Sequence, residues 1–331
     1  MSQSSPSAAV ALRGYFDERP ALVAFAALGA IALVLVASYS LHDVAQASLN
    51  GLTLGTIYAL GAVGLTLVYG ILRLVNFAHG DFLTFGAYIA YLVNVTWGLP
   101  LAAGVVLAMG ATAALGLASE RLMWRPMRSR GAGWLQLLLM TIGLAFVIRS
   151  AVQWFWGNEI RTLDVNVTES VSFLGLRIGQ TELMVVVLGI AVLVAVGLVV
   201  RFTLLGKRMR ALSDDIALAE TAGIDSRRVI LLTWVFAGAL AGLAGVLSGA
   251  LTNLRPELGF ELLLPIFAAV ILGGIGNPFG ALSAGLVLGV VIELSTLVVE
   301  PRWKLTFGFL ALIIALVIRP QGIFGQATRA V

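Results

Sequence analysis

Apolar residues fall in long blocks along this chain, not in the short alternations of a soluble sheet or the single stripes of surface helices. The blocks cover roughly residues 21–38, 46–70, 81–96, 101–119, 135–156, 181–200, 229–252, 262–275, 279–298 and 305–318. Most approach the 20 or so residues that an α-helix needs to cross a bilayer. The pattern predicts an all-α, polytopic membrane helix bundle with about eight to ten crossings.

Two stretches depart from plain spanning helices. The block at 262–275 runs into Gly273-Gly274-Ile275-Gly276-Asn277-Pro278, whose glycines and proline break a helix. It reads as a half-helix or a re-entrant segment. The segment after Arg73 and Asn76 is interrupted in a similar way. A pattern F-G-A-x-x-A occurs at Phe85 to Ala90 and again at Phe279 to Ala284, each time after a break. Broken helices at matching places are a feature of transport folds, although a short match among small residues also arises by coincidence.

Composition closes off the soluble alternatives. Of 331 residues, 60% are hydrophobic and only 11% charged, with a mean hydropathy of +0.99. Roughly a quarter of a soluble domain is charged, so this chain cannot cover a water-facing surface. Its 37 glycines suit close helix approach in lipid. With no cysteine, disulfides and thiolate metal sites are excluded, and two histidines, His42 and His79, cannot build a multi-histidine metal cage. A pI near 9.8 reflects the placement of basic residues and gives no reason to invoke nucleic acid.

That placement predicts an orientation. With ten crossings and a cytoplasmic N-terminus, fifteen of the 21 Lys and Arg lie in cytoplasmic segments, while Arg161, Arg177, Arg255, Arg302 and Lys304 lie outside. The excess of positive charge marks the inner side, which puts both termini in the cytoplasm. Residues 1–20 then form a polar cytoplasmic tail, 21–325 the membrane domain with a cytoplasmic loop at about 201–228, and 326–331 a second tail. A cleavable signal peptide competes for the start of the chain, because small residues from Ala37 to Ser40 follow an apolar run.

Three polar constellations interrupt the apolar blocks. In Arg73-Leu74-Val75-Asn76-Phe77-Ala78-His79-Gly80-Asp81, four polar or charged side chains crowd a membrane boundary, where such groups pair or line water. A capped helix start, with Asp81 at the positive end of the dipole, is the plain account; a gate or pathway wall at Asn76, Phe77, His79 and Asp81 is the functional one. In the loop 201–228, Arg210, Ala211, Ser213, Asp214, Asp215, Ala219, Glu220 and Gly223 outline a short amphipathic helix, with Ser213 or Asp214 as N-cap and Gly223 as terminator. Its small residues and mixed charges suit a protein partner better than lipid. The third constellation, Gly274, Gly276 and Asn277, is a tight turn or part of the pathway. Arg149 reads as a snorkelling residue, and Glu293 either pairs with another chain or lines the pathway. No phosphate-binding loop is present; Gly206-Lys207 lacks the preceding glycine and the following hydroxyl.

At these constellations the sequence resembles the permease subunits of ATP-binding-cassette importers for branched-chain amino acids. The resemblance runs from about residue 46 to 325. Its most specific strings are Asn76-Phe77-Ala78-His79-Gly80-Asp81 and Arg319-Pro320-Gln321-Gly322-Ile323-Phe324-Gly325. It implies a non-enzymatic subunit of the bacterial inner membrane that works with a second, nonidentical permease, two cytoplasmic ATPases carrying ATP and Mg, and a periplasmic solute-binding protein. The chain itself would bind no cofactor. By the same resemblance, the segment from Ala211 to Gly223 is the coupling helix that an ATPase receives. A passive channel for urea or amides, with Asn76 and Asn277 as paired pore asparagines, is the alternative.

Overall fold

The computed structural model describes residues 38–165, 169–173, 175–318 and 322. The apolar run at 21–38 lies outside them apart from Ser38, as do the N-terminal tail, the string from Arg319 to Gly325 apart from Gly322, and the C-terminal tail.

A single long helix organises the bundle. α1 (Leu41–Leu72) has 32 residues, about 48 Å of rise, and is buried along most of its length. Ser40 starts it, its hydroxyl accepting from the Asp43 N–H at 3.1 Å. α2 (His79–Tyr91) continues through a π-turn at Leu92–Thr96. α3 (Leu101–Ser119) passes through another, Glu120–Trp124, into α4 (Arg125–Ser129). Then follow α5 (Trp134–Trp156), a hairpin of β1 (Ser170–Phe173) and β2 (Leu176–Gly179), and α6 (Gln180–Phe202). α7 (Leu204–Asp214) and α8 (Ile216–Thr221) lead to α9 (Ser226–Leu251), α10 (Leu258–Gly273), α11 (Pro278–Ser295) and α12 (Lys304–Ile318).

Close backbone approach holds the centre together. α11 lies against α1 where Gly51 and Gly55 face Gly285 and Gly289. Lipid gives helices no hydrophobic reason to associate, so dispersion between closely packed backbones has to supply it. α9 packs against α1, α2 and α3. α5 and α6 sit at the periphery, with Phe146, Val147, Val187, Val194 and Leu198 exposed, as lipid-facing helices would be.

Among the described residues, six helices are long and apolar enough to cross a membrane. The blocks at 81–96, 262–275 and 305–318 correspond to the shorter α2, α10 and α12. The F-G-A-x-x-A pattern starts at the seventh residue of α2 but in the first turn of α11, so the two copies do not occupy equivalent places. The region between Gly157 and Gln180 holds a hairpin that the hydropathy pattern does not predict. Gln46 clamps it to α1: its Nε2 donates to the Arg177 carbonyl at 2.7 Å and its Oε1 accepts from the Arg177 N–H at 2.9 Å. Glu293 is paired within the chain, to Lys304 Nζ at 2.7 Å.

Gly55→Val tests the central contact, since a Cβ at Gly55 would lie 2.8 Å from the Leu286 carbonyl oxygen. This variant should lose monodisperse protein on size exclusion in detergent. Gly110→Val, which has nothing within 4 Å of its Cβ position, should elute like the parent. Equal behaviour of the two would refute the packing argument.

Candidate functional site

The second helix does not begin where the first one ends. After Leu72 the backbone runs without helix through residues 73–76 before a turn leads into His79. The His79 Nε2 lies 2.9 Å from the carbonyl oxygen of Gly61, eleven residues back from the end of α1. α2 therefore starts alongside the middle of α1. α10 starts at the same depth, because Gly259 lies against Gly80 with no room for a Cβ on either. Two interrupted helices thus meet, first turn against first turn, inside the bundle.

Side chains of the chain itself meet two N–H groups at these starts, as membrane depth requires. The Asn76 Oδ1 accepts from the Ala78 N–H at 3.1 Å, and the Thr84 hydroxyl accepts from the Gly259 N–H at 2.9 Å. Asn76 is fully buried, and its Nδ2 has no partner among the described residues.

Asp81 lies in the first turn of α2, near the positive end of the helix dipole. It is also paired: Arg149 of α5 donates through Nε to Oδ1 at 3.0 Å and through an Nη to Oδ2 at 3.3 Å. Arg149 is only 17% exposed, so the snorkelling expectation is corrected. The carboxylate draws the guanidinium into the bundle. Its carbon sits 4.8 Å from the Phe260 ring centre and 5.9 Å from that of Phe146. Beside it opens a cavity of about 240 Å³ lined by Phe77, Ile142, Ala145, Phe146, Arg149, Phe260 and Leu263. Phe77 also packs on Phe267, ring centres 5.2 Å apart.

The other constellations converge at the Leu72 end of α1. Arg73 takes a left-handed conformation, φ 50°, an uncommon one for a residue with a side chain. Its guanidinium donates to the Ser213 carbonyl at 3.1 Å, and the Ser213 hydroxyl donates to the Gly70 carbonyl at 2.9 Å. Gly276 lies against Gly70, and the Gly322 backbone lies against Ile271, Leu272 and Gly274. Gly274 and Gly276 have φ of 89° and 87°, a region that favours glycine. Asn277 caps α11, its Oδ1 accepting from the Gly280 N–H at 3.1 Å.

The two asparagines therefore serve different helix starts, one near Gly61 and one near Gly70. Nine residues of α1 separate those levels, about 14 Å. They do not form a facing pair.

The loop 201–228 differs from the single helix expected from sequence. α7 includes Ser213 and Asp214, and the chain kinks at Asp215, φ −155° and ψ 115°. Asp215 is the N-cap of α8, accepting from the Leu218 N–H at 2.9 Å; Ser213 is engaged with α1 instead. Gly223 does terminate α8, at φ 81°. Its N–H bonds the Glu220 carbonyl and the Ile224 N–H bonds the Ala219 carbonyl, both at 3.0 Å, the double closure of a Schellman end.

Arg210, Ala211 and Ala219 face their own chain. Arg210 donates to the Val200 and Arg201 carbonyls at the end of α6. Ala219 joins Ile71, Met209, Leu212 and Val229 in a small apolar cluster, with Ala211 packed beside it. Asp214, Asp215, Glu220 and Gly223 are exposed, and Glu220 accepts from the Ser226 hydroxyl. Also exposed are Ile216 and Leu218, the latter at 69%. Sequence reasoning passed over both, since they looked like ordinary apolar helix positions. It also left Arg73 and Phe260 without a role, because only their distant partners give them one.

Residues 47–316 match the family described as the permease component of branched-chain amino acid transport systems. The chain is 33% identical over 298 residues to the high-affinity branched-chain amino acid transport system permease protein LivH of Escherichia coli strain K12, covering 85% of this chain and 95% of that one. It is 33% identical over 295 residues, with the same coverage, to the corresponding permease protein BraD of Pseudomonas aeruginosa. Likeness extends to the LivM permease protein of the same E. coli strain, 27% over 320 residues, covering 88% of this chain and 73% of that one.

Removing one member of a buried ion pair strands the other, at a cost of roughly 3–5 kcal/mol. Arg149→Ala should therefore lower stability to denaturant in mixed micelles by about that amount. Adding Asp81→Asn to it should recover part of the loss. If the double variant is no more stable than Arg149→Ala, the pair is not what sets the cost.

Proposed function

The chain belongs to the family of permease components of branched-chain amino acid transport systems, and on that premise we propose that it is one of two permease subunits in an ATP-driven importer. It is a multi-pass membrane protein. In this reading the Leu72 end of α1 faces the cytoplasm of the inner membrane, where two ATPase subunits hold ATP and Mg. A periplasmic binding protein delivers branched-chain amino acids to the opposite end. The chain carries out no covalent chemistry and holds no cofactor of its own. Likeness to two differently named permeases of one organism favours a nonidentical homologue as its membrane partner.

One observation carries the coupling role. The α7–α8 segment has two faces, and they do different things. Its outer face presents Ile216, Leu218 and Glu220 to a partner. Its inner face is tied by Arg73 and Ser213 to the last turn of α1, directly before the break that precedes α2. An ATPase that grips the outer face therefore pulls on the strand of residues 73–78. That segment carries Asn76 and Phe77 and leads into His79 and Asp81 of α2, which together form the proposed pathway wall. Gly274, Gly276 and Asn277 form the neighbouring hinge, seated on Gly70. Transport then proceeds by rocking of packed helices around a central site.

Mass spectrometry of the complex purified from native membranes in mild detergent is the direct test. Stoichiometric ATPases and a second permease are expected; a homo-oligomer without ATPase, where a control importer stays intact, would overturn the assignment. Gly223→Pro provides a functional check. Proline can neither adopt φ 81° nor donate the N–H that closes α8. Uptake should be abolished while the chain still folds and inserts, and normal uptake by this variant would rule out the coupling role.

A further inference from the structure

The end of α3 carries charge that the fold does not use. Arg121, Arg125, Arg128 and Arg130 fall within ten residues, and Glu120 is the only acidic residue between Asp81 and Glu159. Glu120 is 3% exposed, and both of its oxygens are taken. Its Oε1 accepts from Arg128, and its Oε2 accepts from the Trp234 indole N–H at 2.9 Å. Arg121, Arg125 and Arg130 are exposed, and among the described residues none of the three is in an ion pair. We propose that this end of α3 binds an anionic phospholipid, with the headgroup phosphate held between Arg121 and Arg125.

The π-turn at Glu120–Trp124 sets the geometry. Glu120 and Trp124 are both buried, and Trp124 stacks on Trp234, ring centres 6.3 Å apart and planes within 9°. Arg121 and Arg125 each follow one of these anchors, so they project outward, one turn apart on the same side. Arg128 is drawn in by Glu120 and cancels its charge. The link to α5 is closed by backbone bonds. Gly131, at φ 74°, donates to the Arg128 carbonyl at 3.0 Å, and the Ala132 N–H donates to the Met127 carbonyl at 3.0 Å.

The surroundings put this cluster at the level of lipid headgroups. Leu122 and Trp134 flank the arginines and are each 76% exposed, and tryptophan is enriched where membrane meets water. Trp234 lies near the start of α9, whose Val229 packs with Ile71 and Leu212. The arginines therefore lie at the Leu72 end of α1. That end is cytoplasmic in the importer reading, the one point at which this inference rests on it, and the cytoplasmic leaflet has a negative surface potential.

The chemistry of the surface selects such a lipid. A guanidinium presents a planar fork of N–H groups that matches phosphate oxygens in pairs. A zwitterionic headgroup brings its own cation to compete with the arginines, and an anionic one does not. The acyl chain then covers Leu122 and Trp134, which a soluble anion would leave bare. One lipid molecule thus supplies, at the right separation, both the charge and the apolar surface that this face lacks.

The test is photolabelling of the complete complex in proteoliposomes. Phosphatidylglycerol and phosphatidylcholine, each with the same photoreactive group on an acyl chain, are supplied in equal amounts, and adducts are mapped by mass spectrometry. Residues 122–134 should be labelled preferentially by phosphatidylglycerol. Arg121→Gln combined with Arg125→Gln should lower that preference roughly tenfold, within the reach of two basic groups at a membrane surface. Arg121→Lys combined with Arg125→Lys should keep most of it. Should the glutamine pair fail to insert, Arg125→Gln read against Arg125→Lys decides the matter. Equal labelling by the two lipids in the parent would overturn the proposal, as would a preference that survives the glutamine pair. Loss of the preference in excess inorganic phosphate, but not in chloride of equal ionic strength, would make a soluble anion the occupant and overturn the lipid. Loss of ATPase from the glutamine variant, with the preference intact, would assign the arginines to a protein partner instead. The labelling ratio does not depend on transport, so a parent complex without ATPases would sink the importer reading and leave this measurement standing.

Discussion

Two helices of this protein begin in the middle of its bundle, and the first turn of any helix carries N–H groups that need acceptors. At membrane depth there is no bulk water to supply them. The rest of the interior follows from that constraint. Gly80 and Gly259 let the two starts come together; Asn76 and Thr84 supply oxygen acceptors; Asp81 places a negative charge at the positive end of α2. A buried carboxylate in turn needs a cation, and Arg149 is drawn inward from α5 to meet it. One break in a helix has thus recruited residues from two other parts of the chain, α10 and α5.

The same break also ties two distant levels of the bundle together. Residues 73–78 join the end of α1 to a point near its middle. Arg73 adopts a strained left-handed conformation where a glycine would be at ease, and its side chain is the group that reaches Ser213. Strain of this kind persists only where the surroundings hold it in place. Here they are the last turn of α1, the α7–α8 segment and the Gly274–Gly276 turn, all within reach of Gly70. The motif that looked like a capped helix start and the loop that looked like a partner-binding helix are parts of one assembly.

The bundle is accordingly rigid in its centre and loosely fastened at its edge. α1 meets both α11 and α9 through its glycines, which leaves little freedom to slide. α5, which contributes Arg149, touches the core chiefly through α2.

The sequence by itself determined the fold class, the apolar blocks, the two interruptions, the polar strings at 73–81 and 272–281, and the glycine that closes α8. These are local properties. Helix length follows from the run of apolar residues, a break from glycine and proline, and a terminator from the one residue type at ease with positive φ. The tertiary structure alone decided what the polar groups do. Arg149 looked like a snorkelling residue and Glu293 had no assigned partner, because Asp81 is 68 residues from the first and Lys304 a full turn and loop from the second. Ser213 looked like a cap, and only the fold shows that its hydroxyl is spent on Gly70, 143 residues away. Hydropathy tells which segments must leave water; it carries no record of which segments then lie side by side, and a charge in an apolar interior is defined by that neighbour.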